Sequence, residues 1–292
     1  MTNPIPKISI KEVASFEGKE VEIAGWLYNS RSKGRIVFLQ IRDGSGRIQA
    51  TGIEGETDPD SFYRSGHLST ESSLIVHGRV KKEPRATGGF EIALRYLKVI
   101  HTANPDYPIS KKEHGVDFLF TNRHLWLRSS RQEALMRLRS QLVAGIRRFF
   151  HDRDFTLVDT PILTRSAGEN TSSMFTLPYY DLGEAQLAQT GQLYLEAACQ
   201  ALGKVYNFGP TFRAEKSKTR RHLSEFWMLE AEVAFADNNS NMDLQEELVM
   251  AAVEHVLAHC QTELETLGRD TRLLQQLRMP FPRIEYDEAV QP

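Results

Sequence analysis

The strongest constraint on the fold lies in residues 208–232, FGPTFRAEKSKTRRHLSEFWMLEAE. Its two flanks, FGPTFRAE and LSEFWMLEAE, mix aromatic and apolar residues with charge in near alternation, the pattern of two antiparallel strands. The link KSKTRR holds no Gly or Pro, so it is a longer loop and not a two-residue turn. Arg213, Lys216, Lys218, Arg220, Arg221 and His222 therefore gather on or beside one hairpin, with Phe226 nearby. Guanidinium groups hold phosphate oxygens in bidentate fashion, and an aromatic ring offers a flat face to a base. Two readings are open from the charge pattern alone. One is a nucleotide site, with cations for the phosphates and a ring for the base. The other is a solvated basic hairpin with Phe226 and Trp227 in the core.

A chain of 292 residues is long enough for two domains. Its 40% hydrophobic and 25% charged content is that of an ordinary globular protein. The formal charge of -2 hides an uneven distribution, with eight arginines against Glu133 and Asp152 over 123–153. From Leu223 onward fourteen acids face four arginines. Local basic patches thus permit a nucleic-acid partner that the overall balance does not demand. Cys199 and Cys260 are the only cysteines, too few for a disulfide framework or a Cys-based zinc site. No signal-like or membrane-spanning apolar run occurs, and the chain reads as cytoplasmic with no membrane partner.

Before the hairpin, VEIAGWLY, IVFLQIRD, RIQATG, SSLIVHGRV and FEIALRYLKVI are five short β-prone runs separated by turn formers such as DGSG and ATGG. Five strands in about eighty residues suit a small Greek-key barrel of the oligonucleotide-binding type, which removes most open edges. Arg31, Lys33 and Arg35 fall in the turn after the first strand, while Phe38 and Gln49 fall on the next two. A ring, an amide and a cationic loop suit unpaired bases. By residue type alone, however, Phe38 reads as a core residue of the barrel. Residues 104–120, with two prolines and two adjacent lysines, read as a linker. The expected domains are therefore 1–103, a linker, and 121–292.

In the second domain, Ser129 or Ser130 caps a long helix running to about Asp154, with Leu135, Leu138, Leu142, Ile146, Phe149 and Phe150 on one stripe. FTLVDTPIL follows as a strand interrupted at Pro161, an edge position where a second subunit could pack. AQLAQTGQLYLEAACQAL passes from strand to helix near Gln189 and Gln192, whose amides could orient a ligand or cap the backbone. Residues 241–267 read as a second long helix. On it His255 and His259 stand four apart, without a third ligand or an HExxH pattern to make a metal site. Neither GxxxxGK[ST] nor GxGxxG occurs, which argues against P-loop and Rossmann sites.

Taken together, FRAE…TRRHLSEF, the barrel pattern WLY…R…F…RDGSG…Q and the order of parts resemble the class II aminoacyl-tRNA synthetases, in the subgroup with an N-terminal anticodon-binding barrel. The resemblance implies an OB-fold barrel followed by an α+β catalytic domain, an antiparallel sheet with flanking helices. It also implies ATP-dependent activation of an amino acid as an adenylate and its transfer to tRNA. Carried over residue by residue, Arg213 would hold the ATP α-phosphate and the amino-acid carboxylate, as the main catalytic group. Glu215 would serve the adenine or the tRNA end, Arg221 and His222 would face the β- and γ-phosphates, and Phe226 would stack on adenine. Glu169 and Gln192 would contact the amino acid. Arg31, Phe38 and Gln49 would read the central anticodon base, which places Phe38 outside the core. Residues 130–161 would build a homodimer interface.

Aspartate-using members of this subgroup carry a lysine after LY in QSPQLYK, where this chain has Leu195 after QTGQLY. A site without that cation favours a neutral amide over a carboxylate. Asparagine and tRNA(Asn) are thus the expected substrates; aspartate–tRNA ligation and a non-catalytic tRNA-binding paralogue are the alternatives. Two departures stand out. The loop GENTSSMF puts Asn170 and Ser173 where the family commonly has Gly and Glu. The third signature motif and the acidic ligands for Mg²⁺ do not occur in residues 1–292, so the catalytic domain is expected to be incomplete at its C-terminal end and the chain alone nearly inactive. No metal ligand is expected within it.

Overall fold

The computed structural model describes residues 4–109, 112–165, 174–217, 219 and 221–290. The chain divides into two compact units, one up to Arg123 and one from His124.

In the first unit, β1 (Glu20–Lys33), β2 (Ile36–Arg42), β3 (Arg47–Ile53), β4 (Ser73–Lys82) and β5 (Phe90–His101) close into a barrel in the order β1-β2-β3-β5-β4. The helix α1 (Pro59–Ser65) lies in the polar segment between β3 and β4, its N-terminus capped by the Asp58 carboxylate. Along β2 and β3 alternate residues are buried, as the two-residue period of a strand requires. Val37, Leu39 and Ile41 of β2 and Ile48 and Ala50 of β3 thus enter one core with Ile23, Leu74, Val76 and Ile92. Closure bends the strands at glycines. A Cβ on Gly25 would lie 2.5 Å from the Arg42 carbonyl oxygen, so β1 and β2 cross there without a side chain between them.

One expectation changes here, and one of two readings of Phe38 is settled. The first strand runs on to Lys33, so Arg31 sits on β1 opposite Phe38 and not in the turn. Phe38 itself points away from the core, because its neighbours Val37 and Leu39 are the buried pair. The reading of Phe38 by residue type fails for a periodic reason: β2 has apolar residues on both faces, and only the pairing register says which face is inside. Residues 104–120, read as a linker, end in the short helix α2 (Val116–Thr121), followed by one turn, α3 (Arg123–Trp126).

In the second unit, α4 (Ser130–His151) begins at Ser129, whose hydroxyl accepts from the Gln132 N–H at 3.4 Å. Two short strands follow, β6 (Thr156–Leu157) and β7 (Leu163–Thr164), then β8 (Thr176–Pro178) and β9 (Glu184–Leu187). The helix α5 (Gln192–Leu202) leads into the hairpin of β10 (Lys204–Phe212) and β11 (Glu225–Val233). Strand order is β11-β10-β6 in one sheet and β7-β9-β8 in another. FTLVDTPIL is thus two short strands in different sheets; β6 is an edge strand, parallel to β10. Phe149, Phe150 and Phe155 pack with Tyr206 beneath one face of the hairpin, joined by Leu244 and Leu248 from α6 (Asn238–His259). The helix read over 241–267 breaks at Cys260, whose φ of -126° and ψ of 30° are not helical, and α7 (Gln261–Thr266) continues beyond it.

His255 and His259 stack with ring centroids 4.2 Å apart, and the His255 ring fills the space beside Gly145 of α4. A Cβ at Gly145 would come within 2.6 Å of His255 Cγ, so the pair of helices closes on a glycine. His255 is thus a packing residue between α4 and α6, while His259 is exposed. Among the described residues no group of three His, Cys, Asp or Glu side chains converges as a metal would need.

Candidate functional site

The hairpin has two unlike faces. Tyr206, Leu229 and Val233 turn toward the aromatic core below. By strand alternation the other face carries Asn207, Gly209, Thr211 and Arg213 from β10, and Phe226, Met228, Glu230 and Glu232 from β11. Thr211 pairs with Phe226, so Arg213, two residues on, reaches the same ring, with its guanidinium carbon 5.6 Å from the ring centroid. A cation beside a half-buried ring at a strand end is suited to a base and its phosphate. Trp227 lies on the opposite face, edge-on to Phe208 and beneath Arg139 of α4.

The connection spans residues 213–224, longer than the six-residue KSKTRR link, because RAE and HLS leave the ladder. It is tied by Arg213 N–H donating to the Ser224 carbonyl at 3.0 Å. Within it Glu215 and His222 come together, with His222 Nε2 3.6 Å from the carboxylate. Arg221 is exposed. Lys218 and Arg220 lie outside the described residues, as does Glu169.

At the far end of this face, Glu230 holds the start of α5. Its carboxylate accepts from the Thr190 hydroxyl and from the Gly191 N–H at 3.0 and 3.2 Å. That places negative charge at the helix N-terminus, where unsatisfied N–H groups favour it. Gly191 is required there. A Cβ would lie 2.7 Å from Thr160 Oγ1 and 2.8 Å from Asn207 Nδ2, the two atoms of a 3.1 Å hydrogen bond. The turn QTGQ is thus clamped from below by Asn207 and Thr160 and from the side by Glu230. Gln192, the first residue of α5, is exposed with its amide donating to Glu196 at 2.9 Å. Glu232 completes a group of carboxylates: burial, then Glu196 and Glu230, push its pKa above the ordinary carboxylate value.

Leu195 is placed differently from its expected substrate contact. It is wholly buried, packed with Cys199 and Val205 under α5, and offers no surface. Position 195 is the inward i+3 position of a helix begun at Gln192, which a motif comparison does not reveal. Gln189 is likewise buried just ahead of the helix. Glu230 is the residue that sequence reasoning missed. Its signal was an acidic side chain alternating onto the same face as Phe226.

On the barrel, Arg31 and Phe38 meet with the guanidinium carbon 4.6 Å from the ring centroid. One row along, Gln49 Nε2 donates to Glu91 at 3.0 Å, and Thr51 donates to the same carboxylate oxygen at 2.8 Å. This outer face of β1, β2 and β3 is a stacking surface with fixed polar groups, the features that suit unpaired bases.

Residues 21–100 match the model of the OB-fold nucleic acid binding domain, and residues 115–292 match that of the class II tRNA synthetases (D, K and N). The chain is 54% identical over 285 residues to an asparagine–tRNA ligase of Pelotomaculum thermopropionicum, covering 97% of this chain and 66% of the relative. It is 49% identical over 287 residues to that of Chloroflexus aurantiacus, covering 98% and 65%. A crystal structure of asparaginyl-tRNA synthetase from Pyrococcus horikoshii, complexed with asparaginyl-adenylate, superposes with a TM-score of 0.92 at 39% identity, covering 98% of this chain and 66% of that one. An aspartyl-tRNA synthetase from Entamoeba histolytica gives 0.78 at 26%, covering 99% and 63%. The chain spans about 65% of the length of these curated relatives. With the OB barrel, the FRAE hairpin and a family match over more than half its residues, the chain belongs to the class II tRNA synthetases of the D, K and N group.

Proposed function

We propose that the chain serves asparagine–tRNA ligation: activation of asparagine by ATP to an adenylate, and its transfer to tRNA(Asn). The observation that carries this is the pairing of Arg213 with Phe226 on the open face of the hairpin, opposite the Glu230 clamp. Attack of the amino-acid carboxylate on the α-phosphorus needs no protein nucleophile. Charge neutralisation and alignment supply the rate, and Arg213 is placed for both. Phe226 supplies the ring for adenine. Glu215, Arg221 and His222 in the connection serve the remaining phosphates and the tRNA end, while Glu169 and Gln192 serve the amino acid. ATP would act here with Mg²⁺, whose charge would offset that of the phosphates.

The choice of asparagine rests on charge. Glu196, Glu230 and Glu232 make this face negative, and the leucine at 195 brings no cation beneath it. A second carboxylate, on aspartate, meets like charge without compensation, whereas an amide does not. Arg31, Phe38 and Gln49 read the central anticodon base. A homodimer through residues 130–161 fits the exposed Leu135 and Met136 on α4 and Leu157 on the edge strand β6. No helix among the described residues is long and apolar enough to cross a membrane, and we place the activity in the cytoplasm.

The test is ATP–pyrophosphate exchange by this chain joined to the part of the Pelotomaculum thermopropionicum enzyme that it does not span. Exchange that depends on asparagine and is at least tenfold weaker with aspartate is expected. Exchange that prefers aspartate overturns the amino-acid assignment.

A further inference from the structure

Residues 279–290 lie against α6 as a strap that buries little of itself. Of its large apolar side chains only Phe281 is half-buried, while Met279, Ile284, Tyr286 and Val290 are 46%, 61%, 78% and 59% exposed. What holds the strap is a polar latch. Glu246 of α6 is 7% exposed. One of its carboxylate oxygens accepts from the Phe281 N–H at 3.0 Å, and the other from the Arg283 guanidinium at 2.7 and 3.0 Å. Arg283 also donates to Asp243, one turn back on the same helix. The Arg283 bond, and then that of Phe281, hold the Glu246 pKa below the ordinary carboxylate value.

A nearly buried ion pair adds little to stability, because desolvation offsets most of its attraction. Here it fastens a segment that brings almost no apolar burial with it, so what it supplies is a position. That position is tied to the hairpin. Leu244 and Leu248, on the same turns of α6 as Asp243 and Glu246, pack against Phe149, Phe150, Phe155 and Tyr206 beneath β10 and β11. The strap and the sheet that carries Arg213 and Phe226 are thus fastened to different faces of one helix of 22 residues.

We propose that Glu246 is a positioning residue for adenylate formation: it seats the strap on α6 and so fixes where the part of the enzyme that this chain does not span is held against the Arg213–Phe226 face. This rests on the reading of the chain as part of an asparagine–tRNA ligase. The exposed row Ile284, Tyr286 and Val290 is the surface on which that part docks. The chain spans about 65% of the length of its curated relatives, and the third signature motif and the acidic Mg²⁺ ligands do not occur in residues 1–292. The row also needs outside support. Tyr286 and Val290 project from a single helical turn, closed by the Val290 N–H donating to the Tyr286 carbonyl at 3.1 Å, and one turn does not hold its shape alone.

The experiment reads ATP–pyrophosphate exchange by the joined polypeptide carrying Glu246→Gln, which keeps the size of the side chain and removes its charge. The kcat falls about 10- to 100-fold, as it does when remote contacts no longer align the reacting groups. The KM for ATP rises, while that for asparagine stays within about twofold, because Glu169 and Gln192, which serve the amino acid, belong to this chain. Arg283→Met gives the same loss, and the double variant loses no more than either single one. Arg283→Lys, which keeps a charge for Glu246, recovers part of the rate. Ile284→Ser with Tyr286→Ser, at positions outside any core of this chain, lowers kcat in the same way. In the chain of 292 residues, Glu246→Gln speeds hydrogen exchange of the Phe281 amide and leaves the amides of α4 protected.

A wild-type kcat in Glu246→Gln, or an equal rise of both KM values, overturns the inference and leaves the ligation reading intact. Loss of protection in α4 and the strap alike makes Glu246 merely structural and overturns it too. If the serine variants abolish a dimer of this chain while exchange by the joined polypeptide is unchanged, the row belongs to a second copy and the inference falls. Absence of exchange in the wild-type joined polypeptide overturns the ligation reading, and the inference with it.

Discussion

The barrel and the hairpin-bearing unit both set arginines beside aromatic rings, but on very different supports. The barrel's described core is a single cluster of sixteen buried apolar residues, and its sheet has no free edge. The second unit has buried clusters of four and three among its described residues, an edge strand at β6, and a groove of about 460 Å³ lined by Leu135, Leu138, Leu142, Val253, Val256 and Leu264. The proposed ligand face of the barrel is therefore carried on a closed sheet. That of the hairpin is carried on a sheet of three strands and a clamped turn. A stacking surface needs rings held in fixed register, which a closed barrel provides. An adenylate site needs groups that converge from several elements, and convergence leaves openings between them.

The sharpest way to break this contrast is by cavity formation. Leu39→Ala in the barrel should cost about 3–5 kcal/mol in a denaturant titration, because its surroundings are filled on all sides. Leu138→Ala, on the open groove, should cost no more than about 1–2 kcal/mol, since most of the space is already open to solvent. Equal losses would mean that the two supports are alike. Next in size, Phe38→Ala should weaken binding of an anticodon hairpin by about 1–3 kcal/mol, read by anisotropy, with the melting temperature unchanged because the ring is outside the core.

Gly145→Ala should destabilise the second unit by about 1–2 kcal/mol, although alanine is the better helix former, because the new Cβ meets the His255 ring. The smallest effect is on pH. Burial, with His259 and Arg148 nearby, lowers the His255 pKa below 6.5. A histidine whose folded pKa lies below its unfolded value contributes stability above 6.5 that is lost as pH falls through that value toward the folded pKa. Thermal melts should show this slope in the wild type and a flatter one in His255→Gln.

Much of this was legible in the chain itself. Strand and helix positions largely followed from periodicity, and the gathering of Arg213, Glu215, His222 and Phe226 on one hairpin followed from the strand pattern, though their pairing, Arg213 with Phe226 and Glu215 with His222, did not. What was not legible depends on register and on contacts distant in sequence. By residue type Phe38 read as core; only the resemblance put it outside, where the alternation of β2 places it. Leu195 needed the start of α5 at Gln192 to enter it. Glu230 needed the Thr190–Gly191 turn, forty residues away, to become a clamp. The break at Cys260 left no trace in a pattern that repeats every four residues on both sides.

The claim that joins these observations is that nucleotide chemistry and RNA reading are carried by separate units. Its most direct test is asparagine-dependent pyrophosphate exchange by Arg213→Ala in the joined polypeptide described above, with anticodon-hairpin affinity measured on the same protein. A loss of exchange of about 100-fold or more with unchanged RNA affinity is predicted. Exchange retained within a few-fold of wild type, or a parallel fall in RNA affinity, would contradict it.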